Sequence, residues 1–269
     1  MNTNFPNGVN QIFAEVKSIT GKEVQLVEKK DLDTYASVKI ARKSMPVHVM
    51  YFKPGQTGIM NHLIAHECGH ILRIYGVESA HRLVPFHNDQ LKMIALKDIE
   101  PEIQKLSKMI SFDRLVHIAN LWYIGTIKQL TNFPSDIMIE QWIYDKYPDL
   151  RPYQKQSLEK QYYEAIQALA GQVEKITPVK ILKASNGMNC AFFNTLGIYL
   201  NNPTFVRKYD KSNYVDIGNQ LIGLRKESEN SYIGDVDTVN KWASFFQMAD
   251  WFNWMDFENI PANYIDTFV

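Results

Sequence analysis

The sequence predicts an α+β fold. A small antiparallel or mixed sheet packs on a histidine-bearing helix, and a mainly helical C-terminal part follows. Three observations carry this expectation. Stretches that alternate apolar and polar residues crowd the first 52 positions. A proline-free segment, residues 59–75, follows the turn-forming "KPGQTG". Beyond residue 81 the patterning is mostly helical.

The elements follow in order. "VQLVEK" (residues 24–29) and "SVKIAR" (37–42) alternate as half-buried strands do, and "PVHVMYF" (46–52) reads as a third strand. The third strand is a candidate to pair with an extended peptide by strand addition. The next helix has one internal glycine, Gly69, and Gly76 as its stop. A mid-helix glycine costs about 1 kcal/mol relative to alanine, so it suits a place where another backbone packs closely.

"PEIQKLSKMISFDRLVHIANLWYI" places Pro101 in a first helical turn and predicts one or two amphipathic helices. "NFPSDIMIEQWIYDKYPDLRP" predicts a separate helix, with Ser135 as N-cap and Pro148 as stop. Residues 153–176 predict another helix, with Gly171 as a break, and shorter aromatic-rich helices follow Pro178. The expected organisation is a first domain over residues 1–150, with a helical insertion at about 82–133. A helical domain or extension covers 151–269.

The composition excludes some functions. In 269 residues, 45% are hydrophobic and 22% charged, with zero formal net charge. There is thus no global electrostatic case for direct nucleic-acid binding or an anionic membrane surface. Two cysteines, Cys68 and Cys190, are too few for a disulfide framework. "MNTNFPNGVNQIF" lacks a signal-peptide pattern, and no stretch has the length of a membrane span. The expected location is cytoplasmic.

The chemistry concentrates in "HLIAHECGHIL", where His62, His66 and His70 repeat every four residues and Glu67 follows the second. Residues four apart lie about 40° apart around a helix, which brings two imidazoles to one face. His-Glu-x-x-His is the zinc pattern in which the histidines ligate and the glutamate acts as general base. His62 and His70 are about 12 Å apart along the axis, too far to share one ion on an unbroken helix. The position of Glu67 selects His66 and His70 as metal ligands. His62 is either a polar residue at the helix start or a group that orients a ligand or contacts substrate. Cys68 points to another side and reads as a small buried residue.

Two histidines need a third protein ligand. Glu78 lies near the end of the motif helix, and Glu102 flanks Pro101, where acids favour a helix start. Glu140 is surrounded by Ile137, Ile139, Trp142 and Ile143. A carboxylate there needs a compensating charge, so Glu140 is the favoured third ligand, with Glu78 and Glu102 as alternatives. Asp136 and Tyr144, one turn to either side, are candidates to orient a ligand or to contact a substrate oxyanion.

The stretch "YFKPGQTGIMNHLIAHECGHIL" resembles the active-site region of zincin metallopeptidases, most closely the ImmA/IrrE type. The resemblance covers roughly residues 35–80 and, more loosely, the helix bearing Glu140. It implies His66 and His70 as zinc ligands, Glu67 as base and a glutamate on a later helix as third ligand, a place Glu140 can fill. It also implies a regulatory protease that cuts a protein partner such as a transcriptional repressor.

The expectation is therefore a zinc-dependent endopeptidase acting on a protein or peptide substrate. The alternative is a non-catalytic zinc-stabilised protein-binding module, with "KWASFFQMADWFNWMDF" as either partner surface or core.

Overall fold

A computed structural model describes residues 5–260. Residues 1–4, where the N-terminal stretch read above begins, lie outside the described residues. The architecture is α+β. Helix α1 (Asn7–Thr20) leads into β1 (Glu23–Glu28), β2 (Ala36–Lys39) and β3 (Val47–Phe52), followed by α2 (Met60–Tyr75). Helix α1 was not anticipated, although Val9, Ile12 and Val16 recur at helical spacing and are fully buried. Gly21 ends it at φ +72°, a left-handed conformation that suits glycine.

The three strands form a mixed sheet in the order β1-β3-β2. β1 runs parallel to β3, with Glu23 opposite Val47, and β2 runs antiparallel to it, with Ala36 opposite Phe52. This corrects the strand-addition expectation. β3 is central, with both sides paired, so it has no free edge for an added peptide; the edge strands of the sheet are β1 and β2.

Then come β4 (Leu83–Phe86), α3 (Asp89–Asp98), α4 (Glu100–Leu106) and α5 (Phe112–Lys146). The expected N-cap at Ser135 is overturned. α5 is one 35-residue helix that runs through Pro134. Ser135 is buried inside it, and its hydroxyl donates to the Asn132 carbonyl. The fixed φ of proline is compatible with helix, and buried packing on both sides outweighs the lost hydrogen bond.

The remaining helices are α6 (Arg151–Ala165), α7 (Gly171–Ile176), α8 (Val179–Tyr199), α9 (Val215–Lys226) and α10 (Tyr232–Phe246). A 3-10 turn at residues 166–169 and Gly171 divide the long helix expected over 153–176. α8, at 21 residues, is longer than the short helices expected there. Strand β5 (Asn253–Asp256) then pairs antiparallel with β4, Leu83 facing Asp256. The end of the described chain thus returns to the segment just after α2.

Two hydrophobic cores result. One gathers α1, the sheet, α2 and the end of α5, around Ile12, Met50, Ile64 and Ile71. The other gathers α5, α6, α8, α9 and α10, around Phe193, Tyr209, Trp242 and Trp251. Trp242, Met248, Trp251 and Phe257 are all buried, so the aromatic stretch near residues 241–257 contributes mainly to packing. α5 belongs to both cores: Ile127, Leu130 and Ile137 enter one, Ile139 and Ile143 the other. The changeover falls at residues 136–140. Among the described residues no helix is long and apolar enough to cross a membrane.

Candidate metal centre

The site is built where α2 meets α5. His62, His66 and His70 are all buried, as are Asp136 and Glu140 of α5. Asp136 and Glu140 are four residues apart, like His66 and His70, so two matched stripes face one another across the helix pair. The close approach is made at Gly69. A β-carbon there would lie 2.5 Å from Ile139 Cγ2, inside van der Waals contact.

The two carboxylates engage different histidine pairs. Glu140 Oε1 accepts from His66 Nδ1 at 2.8 Å, and both Glu140 oxygens lie 2.9 Å from His62 Nε2. Gln154 of α6 donates to Glu140 Oε2 at 2.6 Å and to its backbone carbonyl at 2.7 Å. Asp136 Oδ1 stands 3.5 Å from His66 Nε2 and 3.2 Å from His70 Nε2, and those two nitrogens are 3.3 Å apart. Asp136 Oδ1 is buried, close to both rings, yet makes no well-directed hydrogen bond.

Among the described residues, two groups could therefore hold a metal ion: His62, His66 and Glu140, or His66, His70 and Asp136. His66 belongs to both, one ring nitrogen to each. The expected set His66, His70 and Glu140 is brought together, but Glu140 reaches His66 from the opposite side of the ring to His70.

The other predicted residues are placed as follows. Tyr144 packs edge-on against Tyr199 and under the Arg151 guanidinium, away from the histidines. Glu78 is exposed. Glu102 accepts from the Val179 backbone N–H. Neither belongs to a candidate metal group. Cys68 and Cys190 are free and buried, and burial raises both thiol pKa values. Gln154 was not singled out in the sequence, because a glutamine on a polar helix carries no pattern.

Burial disfavours charge on every group here, and the partners decide the outcome. Burial works against a charged His66, but Asp136 and Glu140 outweigh it and hold its pKa well above the usual value. Burial keeps His70 below the usual value despite Asp136, with His66 and Arg73 adding to the shift. Burial opposes ionisation of Asp136 and Glu140, yet the imidazoles close beside them hold both below the usual carboxylate range. A cation can supply the same compensation as the His66 proton, and the two compete for one lone pair.

Glu67 has a different environment. Burial pushes its pKa up to about 8, partly opposed by His66 and the Val38 backbone N–H and reinforced by Asp136. Neither carboxylate oxygen makes a well-formed hydrogen bond. His66, Glu67 and Asp136 line one end of a cleft of about 720 Å³. The start of β2 (Ala36, preceded by Thr34 and Tyr35) lines the same cleft.

No family model, curated protein or solved structure matches this chain.

Proposed function

We propose that the chain is a zinc-dependent endopeptidase in which His66, His70 and Asp136 hold the metal and Glu67 is the general base. One observation carries the ligand assignment. The three donor atoms are separated by 3.2, 3.3 and 3.5 Å. Donors about 2.0–2.1 Å from a tetrahedral zinc are about 3.3 Å from each other. The roles expected for Glu140 and Asp136 thereby exchange. Asp136 takes the ligand place, and Glu140 holds the outer nitrogen of His66, as carboxylates do behind zinc-bound histidines.

Three donors suit a catalytic zinc, which keeps one position open, better than a closed structural site. Bound zinc supplies Lewis-acid polarisation of a carbonyl and lowers the pKa of water. Glu67 takes a proton from the attacking water at its carboxylate and delivers it to the leaving amine. Burial makes Glu67 a stronger base than a surface carboxylate. His62 and Gln154 hold Glu140, which in turn fixes the ring of His66. Edge strand β2 begins at Ala36, which lines the cleft. The resemblance of residues 35–80 to the ImmA/IrrE type favours a specific protein substrate, such as a repressor, in the cytoplasm.

The test is Glu67→Gln, assayed for bound zinc and for cleavage of a proteome-derived peptide mixture. Zinc is expected to stay and cleavage to fall by at least a hundredfold, the low end for a lost general base. Cleavage at the wild-type rate would sink the mechanism.

A further inference from the structure

The cleft continues beyond the histidines along α5 and α8. From Asp136 back to Trp122, both lining it, α5 spans 14 residues, or about 21 Å. That length accommodates about six residues of extended peptide. The same helix therefore carries a candidate metal ligand and the wall of a long binding arm.

The arm has a distinct chemistry. Trp122, Phe133 and Phe192 provide aromatic surface, with Phe133 and Phe192 stacked at 4.7 Å between ring centroids. Asn132 and Asn186 also line it, at 4% and 0% exposure, and the side-chain oxygen of each, with the Asn186 amide nitrogen, is buried without a hydrogen-bond partner. Such an orphaned acceptor costs about 1–3 kcal/mol. Keeping them in one aromatic cleft makes sense where a ligand supplies both N–H donors and a carbonyl acceptor, as a peptide backbone does. Gln129, also lining the arm, donates from Nε2 to Asn189 Oδ1 at 3.4 Å. The charged lining of the cleft, Lys53 and Lys128 against Asp33, Glu164, Glu67 and Asp136, holds no positive excess to attract an acidic segment.

We propose that this arm is a substrate subsite for a neutral peptide segment carrying a bulky aromatic or aliphatic side chain. Trp122, Phe133 and Phe192 enclose the side chain, and Asn132 and Asn186 accept hydrogen bonds from backbone N–H groups. The proposal rests on the endopeptidase reading for its role as a substrate site, while binding itself needs no catalysis. The subsite makes the helical half of the chain a determinant of which peptide reaches Glu67.

Two measurements test it. The first titrates the full chain with N-acetyl-phenylalaninamide and, separately, N-acetyl-glutamic acid amide, followed by side-chain amide and indole NMR. The phenylalanine probe is expected to shift the Asn132, Asn186 and Trp122 signals, and the glutamate probe is not. Asn186→Leu and, at a half-buried position, Trp122→Ala should each weaken the phenylalanine probe at least fivefold. No shift in the wild type, or equal response to both probes, overturns the subsite.

The second measurement maps cleavage sites in a proteome-derived peptide mixture. Enrichment of aromatic or large aliphatic residues is expected within about six positions on one side of the cut. Probe binding without any cleavage would leave the subsite standing and remove the endopeptidase reading. Cleavage without side-chain preference or probe binding would do the reverse.

Discussion

Gly69 of α2 lies directly against Ile139 of α5, so that a β-carbon at position 69 would stand 2.5 Å from Ile139 Cγ2. Ile139 is 1% exposed. The contact sets the distance between the two helices, and Asp136 and Glu140 flank Ile139 on the same helix. Gly69→Ala gains about 1 kcal/mol of helix propensity but suffers overpacking of about 1–3 kcal/mol. The expected result is a net loss of roughly 1 kcal/mol in denaturant unfolding, with weaker zinc binding. Combined with Ile139→Ala, the two changes should cost less than their sum. Strict additivity would show that the contact does not set the helix spacing.

Asp136 and Glu140 separate in their effect on the metal. Glu140→Gln should weaken zinc by about 10–100-fold, the usual penalty for losing an outer partner of a ligand. Asp136→Asn should weaken it by more, because a charged ligand is lost. A chromophoric chelator measures both affinities. With cobalt in place of zinc, the absorption of the tetrahedral ion should move in Asp136→Asn and persist in Glu140→Gln. The opposite ranking would place the ion between His62, His66 and Glu140.

His48 predicts an acid-sensitive stability. It is fully buried in β3, its Nδ1 accepts from the Ala41 backbone N–H, and its Nε2 lies 3.1 Å from Thr20 Oγ1. Burial, with Lys22 nearby, lowers its pKa from 6.5 to about 4. The unfolded chain therefore binds this proton first. The stabilisation is complete above pH 6.5 and is lost as pH falls towards 4, by about 2–3 kcal/mol. His48→Gln can keep both hydrogen-bonding positions and does not titrate. Its unfolding free energy should be flatter across that window, and an unchanged slope would place the acid sensitivity elsewhere.

Arg73 and Asp235 tie α2 to α10. Arg73 donates from Nε and Nη2 to the two Asp235 oxygens at 2.5 and 2.8 Å, and Arg225 stands 3.7 Å away on the other side. Asp235 is 3% exposed. Asp235→Asn leaves two largely buried cations without their anion, at a cost of about 3 kcal/mol. Thermal unfolding should show the loss. A Tm unchanged within a degree would count against the tie.

The sequence by itself determined the local features. Strand alternation placed β1 and β3 within a residue or two, and glycine and turn chemistry bracketed α2. Four-residue spacing put His66 and His70 together, and Glu67 followed from its position in the pattern. The apolar neighbours of Glu140 correctly marked a buried carboxylate. Those signals depend on residues a few positions apart, where backbone geometry alone decides who meets whom.

Tertiary structure decided the rest. Whether Asp136 or Glu140 faces the His66/His70 pair depends on how α5 is rotated and offset against α2. The Gly69 and Ile139 contact sets that packing, and no local pattern encodes it. Ser135 reads as an N-cap until packing on both sides carries α5 through Pro134. β4 and β5 are only four residues each and pair across about 170 positions, so neither shows until the chain closes. The α5–α8 arm likewise exists only once two helices, distant in sequence, bury one wall together.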